Sequence, residues 1–183
     1  MAKTAIFLAD GFEEIEGLTV VDLLRRAGIE ITTVSIMGRN EVTGSHGISV
    51  KADAQFDNIS LDDMDMLILP GGQPGTTNLF ACEPLKKKIE EFNAAGKMLA
   101  AICAAPTVYG RMGLLDGKKA CCYPGCEADL GEADVQTLEV TCDSNFITSR
   151  GMGTAIPFGL AIIEHFQGKA AADEMAGKIV FRA

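Results

Sequence analysis

The sequence predicts an α/β protein, a parallel sheet sandwiched by helices, and three observations carry that prediction. Short apolar runs rich in strand formers alternate along the chain with helical stretches, the order that builds βαβ units. The runs Met66–Leu69 and Met98–Ile102 are apolar at nearly every position, as a strand buried on both faces must be. Both run directly into a turn, Pro70-Gly71-Gly72 after the first and Cys103 after the second. In open parallel sheets, ligands sit beyond the carboxyl ends of the strands, so both turns are placed on the functional rim.

Ala5 to Leu8 reads as the first strand. A helix follows from Glu13 to Ala27, with acids in its first turn, Arg25 and Arg26 in its last, and Gly28 as its stop. Ile29 to Ile36 is a β-branched second strand. The stretch from Glu41 to Ala54, punctuated by Gly44 and Gly47, reads as a small hairpin excursion. Pro84 to Ala95 is a helix ended by Gly96. Beyond Cys103 a further helix starts near Pro106. Lys118 to Cys122, Leu138 to Cys142 and Phe146 to Ser149 read as later strands, and Thr154 to Gln167 and Ala170 to Ile179 as closing helices.

The chain has 183 residues, 48% hydrophobic and 22% charged. That balance suits one globular domain, spanning residues 1–183, with a core of its own. A formal net charge of −9 disfavours contact with phosphate backbones, so nucleic-acid binding is not expected. The apolar run at the N-terminus, Ala5 to Ala9, is shorter than a signal-peptide core and is followed at once by acids. No run reaches the roughly 20 apolar residues needed to cross a bilayer. A cytoplasmic protein without membrane contact is expected, its six cysteines free thiols.

Among those cysteines Cys103 stands apart. In Ala101-Ile102-Cys103-Ala104-Ala105-Pro106 it lies at or just before a helix N-terminus, where free amides and the helix dipole favour a thiolate. Its plainer reading is that of a small buried hydrophobe, the reading preferred for Cys82, Cys121, Cys122 and Cys142. No C-x-x-C occurs and the only histidines are His46 and His165, so no metal site is expected. Glu16 shares a helix face with Val20, Leu24 and Ala27. Burial there would raise its pKa and leave it protonated, able to donate to a thiolate and to move a proton. Equally, it is a first-turn acid complementing the helix dipole. Gly71 and Gly72 let the backbone approach a ligand, and the amides of Gly72 and Ala104 could hold an anion beside the sulfur. A tight turn is the plainer reading. Neither histidine is placed for a cysteine–histidine pair.

These residues together resemble the ThiJ/PfpI superfamily, most closely its branch of Parkinsonism-associated protein deglycase and bacterial relatives. The resemblance rests on Ala9-Asp10-Gly11-Phe12-Glu13-Glu14-Ile15-Glu16, Val21–Gly28, Leu69-Pro70-Gly71-Gly72, Ala100–Pro106 and Thr148–Thr154. It implies a flavodoxin-like, class I glutamine amidotransferase-like fold, usually homodimeric, with Cys103 reactive and Glu16 protonated. It also implies anion-hole amides at Gly72 and Ala104, and Arg150 near the pocket mouth. One departure is Tyr123-Pro124, where close relatives often carry a histidine before the proline. A phenol, with a reference pKa of about 10, is a poor base at neutral pH, which leaves Glu16 as the proton shuttle.

The activity this resemblance implies is a cofactor-independent glyoxalase or deglycase reaction on a small 2-oxoaldehyde such as methylglyoxal, or on its adducts. A redox sensor whose Cys103 is oxidised without turnover is the alternative. A chaperone indifferent to the pocket comes next. A peptidase or amidase comes last, for want of a base.

Overall fold

The protein is described by a computed structural model covering residues 1–182. Its main elements are β1 (Lys3–Leu8), α1 (Glu14–Arg26), β2 (Glu30–Ser35), β3 (Glu41–Thr43), β4 (Ser49–Lys51), β5 (Ala54–Gln55), β6 (Met66–Leu69), α2 (Gly75–Ala81) and α3 (Glu83–Ala94). Then come β7 (Met98–Ile102), α4 (Pro106–Arg111), β8 (Lys119–Ala120), β9 (Asp134–Val135), β10 (Val140–Asp143), β11 (Phe146–Ser149), α5 (Ala155–Gln167) and α6 (Lys169–Lys178). The principal sheet has the order β10-β11-β7-β6-β1-β2-β5. All its neighbours pair in parallel except β10, which is antiparallel to β11. This is the flavodoxin-like, class I glutamine amidotransferase-like arrangement.

Strand geometry sorts the core into two layers, because successive side chains point to opposite faces. On β1, Ala5 and Phe7 join one apolar layer with Leu79, Ile89 and Val108 of α2, α3 and α4. Ile6 and Leu8 join the other, with Val20 and Leu24 of α1, Phe158 and Ile162 of α5, and Met175 of α6. On β6, Leu67 and Leu69 alternate in the same way with Met66 and Ile68. Val20 and Leu24 are wholly buried, which stabilises the docking of α1 by about 1.5–3 kcal/mol for each side chain.

Three sequence expectations need correction. The helix α2, directly after the glycine turn, was not foreseen, since Gly75-Thr76-Thr77 carries little helical signal. The strand expected over Lys118–Cys122 shrinks to Lys119–Ala120 and pairs with β9 outside the principal sheet. The Cys121 amide turns instead to the Thr148 hydroxyl at 3.0 Å. The strand expected at Leu138–Cys142 begins two residues later and is the antiparallel edge, so Cys142, expected in the core, is exposed.

The excursion between β2 and β5 is the antiparallel hairpin β3–β4, as expected. Its end folds back on the start of α1: Gly11 N–H donates to Thr43 O at 2.8 Å and Ser45 N–H to Phe12 O at 2.8 Å. Leu69 pairs with Ala101, and Ser149 with Ile102. The turns after β6 and β7 therefore leave the sheet side by side. No helix among the described residues is long and apolar enough to cross a membrane.

Candidate active site

Cys103 follows the last residue of β7 with φ of +66°, the left-handed region, which a non-glycine residue enters at a cost of about 1–3 kcal/mol. The conformation is held from both sides. Its N–H donates to Ser149 O at 3.0 Å and its carbonyl accepts from Tyr123 N–H at 2.7 Å. The turn closes through Ala105 N–H to Ile102 O at 3.0 Å. Helix α4 starts at Pro106 with Ala105 as its cap, so Cys103 lies just before a helix N-terminus, as its sequence context implied. The amides of Ala104 and Gly72 pull the thiol pKa down.

Glu16 lies on the buried face of α1, 1% exposed, as its spacing from Val20 and Leu24 implied. Its Oε2 accepts from Gly71 N–H at 3.0 Å, and the carboxyl lies beside Cys103 across Gly71. Its Oε1 has no hydrogen-bond partner among the described residues, an arrangement that penalises the ionised form. Burial raises the carboxyl to about 7, aided by the nearby charge of Glu13 and opposed by Cys103 and the Gly71 amide. Burial likewise pushes the Cys103 thiol up, reinforced by a Glu16 carboxylate, against the pull of the Ala104 and Gly72 amides. The two groups titrate as a pair. While Glu16 is ionised it opposes a thiolate; when it holds its proton the same contact can donate to the sulfur.

Glycine is obligatory between them. A Cβ on Gly71 would lie 2.6 Å from both Cys103 Cβ and Glu16 Oε2. Gly72, at φ of +90°, would place a Cβ 2.3 Å from the Glu13 nitrogen. The structure thus brings together five residues singled out in the sequence: Cys103, Glu16, Gly71, Gly72 and Ala104. Tyr123 touches Cys103 through its backbone amide only; its ring, half exposed, lies beside Gly151. Arg150 bonds through its guanidinium to Thr137 O at 3.5 Å and through its amide to the Thr154 hydroxyl at 3.2 Å. Neither side chain is hydrogen-bonded to the sulfur.

The sequence reading did not see what covers Glu14. That carboxylate is 3% exposed and accepts from the amides of His46 and Ile48 at 2.8 and 3.4 Å, and from His46 Nδ1 at 2.9 Å. Burial works to raise it, but the His46 imidazole and these amides prevail and hold it at about 2. The available signal was Ser45-His46-Gly47 at the hairpin end, opposite an acidic helix start. His165, in the last turn of α5, is exposed and far from serving Cys103 in sequence register or contact.

Fold and site together define a class: an α/β protein with a cysteine–carboxyl pair at the carboxyl rim of its parallel sheet. The DJ-1/PfpI family profile matches residues 2–165, and the chain belongs to that family. It is 38% identical over 182 residues to protein DJ-1 homolog B of Arabidopsis thaliana, covering 98% of this chain but 42% of that protein. The chain therefore spans less than half the length of that relative. A deglycase of Pyrococcus abyssi is 34% identical over 156 residues, 82% of this chain and 91% of its own. The structure of oxidised Toxoplasma gondii DJ-1 superposes with a TM-score of 0.96 over the full length of both chains, at 32% identity.

Proposed function

We propose that the protein is a cofactor-independent glyoxalase or deglycase that acts on methylglyoxal or its adducts through Cys103. The observation that carries this reading is the buried Glu16 carboxyl, held by the Gly71 amide at 3.0 Å beside Cys103 and raised by burial to about 7. In the reacting form the pair holds one proton, on Glu16, and the sulfur is the nucleophile. The thiolate adds to the aldehyde carbon, and the carbonyl oxygen takes the proton held by Glu16 to give a hemithioacetal, leaving Glu16 a carboxylate. The amides of Gly72 and Ala104 stabilise the oxyanion as it forms. Glu16 then carries a proton from the former aldehyde carbon to the neighbouring one. The product is a lactoyl thioester, which water hydrolyses to lactate and the free thiol. The reaction is an isomerisation followed by hydrolysis, with no net oxidation. The relative in Pyrococcus abyssi that bears the name deglycase supports the substrate class.

Methylglyoxal incubated with the protein should disappear as lactate appears, and Cys103→Ala or Glu16→Gln should each abolish turnover. Undiminished turnover in either variant overturns the mechanism. A second reading, redox sensing, is supported by Cys103 being only partly buried. Mild peroxide should then add two oxygens to Cys103 alone, as read by mass spectrometry.

The protein is also proposed to act as a homodimer. Ile15 and Leu18 of α1 are 50% and 38% exposed, with Ile48 on the hairpin and Met152 also open, an apolar set suited to a self-complementary interface.

A further inference from the structure

The loop after β8, Cys121-Cys122-Tyr123-Pro124-Gly125-Cys126, carries three thiols that the Cys103 reaction does not use. Tyr123 to Cys126 form a β-turn closed by Cys126 N–H to Tyr123 O at 3.0 Å. Pro124 and Gly125 occupy its corners, with Gly125 at φ of +95°, the residues a type II turn prefers there. The Cys122 thiol donates to the same Tyr123 oxygen at 3.4 Å. Cys122 and Cys126 therefore meet on one atom, the first by its side chain and the second by its backbone. Both pack in the same apolar layer, Cys122 buried and Cys126 partly open. Cys121 turns away, its sulfur donating to Thr148 O at 3.2 Å, so the neighbours Cys121 and Cys122 are not the pair the fold brings together.

Tyr123 also reaches the active site. Its N–H donates to Cys103 O at 2.7 Å, one of the two backbone bonds that hold Cys103 at φ of +66°. A single residue thus receives both cysteines on its carbonyl and clamps Cys103 with its amide. Burial raises both thiols, Cys122 to about 12. The reduced pair therefore gains little from thiolate formation, and a disulfide between them resists reduction once made.

We infer that Cys122 and Cys126 form a reversible disulfide whose closure loosens the clamp on Cys103 and lowers its reactivity. Hydrogen peroxide is the oxidant. It converts the Cys126 thiol, the more open of the two, to a sulfenic acid and water. The Cys122 sulfur then attacks the Cys126 sulfur, the S–O bond breaks, and hydroxide leaves with the Cys122 proton as a second water. Two thiols and one peroxide become one disulfide and two waters. The new bond removes the hydrogen that Cys122 donated to Tyr123 O and draws Cys126 towards Cys122, so the Tyr123 peptide must move. With that clamp loosened, Cys103 relaxes from its strained left-handed conformation, the one in which the Ala104 and Gly72 amides favour its thiolate. The inference rests on Cys103 being the working thiol, and not on which substrate it takes.

Cys103→Ala treated with mild hydrogen peroxide and then digested should yield a peptide lacking two hydrogens. In it Cys122 and Cys126 should be joined, with Cys121 and Cys142 still open to iodoacetamide. In Cys126→Ser, a change at the partly open end of the turn, Cys122 should stay free. The full-length protein with Cys103 in place is then oxidised with diamide, which forms disulfides without adding oxygen to sulfur. Iodoacetamide should modify Cys103 roughly fivefold more slowly afterwards, the fold-change to which the low end of left-handed strain converts. Dithiothreitol should restore the rate, and Cys126→Ser should show no slowing. No bond, or a bond to Cys121 or Cys142, overturns the pair. A bond that leaves the Cys103 rate unchanged, or slowing that persists in Cys126→Ser, overturns the coupling. Alkylation is read without turnover, so failure of lactate formation and failure of this switch are seen separately.

Discussion

At the scale of single residues, Glu16 and Glu14 show how two acids of one helical turn come to opposite protonation behaviour. Glu16 is buried against a thiol and one amide and is raised to about 7; Glu14 is buried against donors on several sides and is held at about 2. The consequences for stability have opposite signs. A carboxyl whose folded pKa is raised binds its proton more tightly in the native state, so stability is greatest below the unfolded value and declines as pH rises towards 7. Glu14 contributes stability above the unfolded value, and that contribution is lost as pH falls towards 2. Urea unfolding of wild type and Glu16→Gln at about pH 5 and about pH 8 checks the first. Wild type should lose on the order of 3 kcal/mol relative to the variant across that interval. Equal pH dependence of the two proteins would show that Glu16 is not protonated in the fold. Cys103 and the burial of Glu16 were legible in the sequence, one from its place after an apolar strand, the other from i+4 and i+8 spacing. The surroundings of Glu14 were not, because they come from residues more than thirty positions away.

At the scale of elements, the site is made by the ends of strands rather than by a helix. The turns after β6 and β7 emerge together because Leu69 and Ala101 are paired neighbours, and α1 lowers Glu16 onto both. Gly71 is the point of closest approach. Gly71→Ala should destabilise the protein by about 1–3 kcal/mol and separate Cys103 from Glu16, with a changed rate of Cys103 alkylation measured beside the unfolding curve. A variant as stable as wild type with unaltered alkylation would show that the turn has slack the structure does not display. Pro70-Gly71-Gly72 announced a turn, and nothing local showed that the missing side chain makes room for a sulfur and a carboxyl. Similarly, the length of α4 was not readable: Pro106 marks a helix start, whereas its end at Arg111 is set by packing around Leu130 and Gly110, whose absent Cβ would strike the Leu130 backbone.

At the scale of the whole molecule, the helices divide cleanly, with α1, α5 and α6 over one face of the sheet and α2, α3 and α4 over the other. The proposed dimer would use the first of these faces. Leu18→Asp, which places a charge on that apolar set, should convert a dimer to a monomer in analytical ultracentrifugation; a wild-type monomer, or a variant still dimeric, would rule this surface out. The parallel α/β architecture was written in the sequence, since strands buried on both faces must be apolar throughout and helices buried on one face must carry a stripe. The proposed nucleophile and its acid were also legible there, as a cysteine after a strand and a carboxyl on an apolar stripe. Only the tertiary structure decided that β10 turns antiparallel, that Gly71 brings Cys103 and Glu16 together, and that Glu14 and His46 meet across the hairpin. Periodicity records which face of an element is buried. The partner that buries it is selected by long-range packing, which leaves no local trace in the chain.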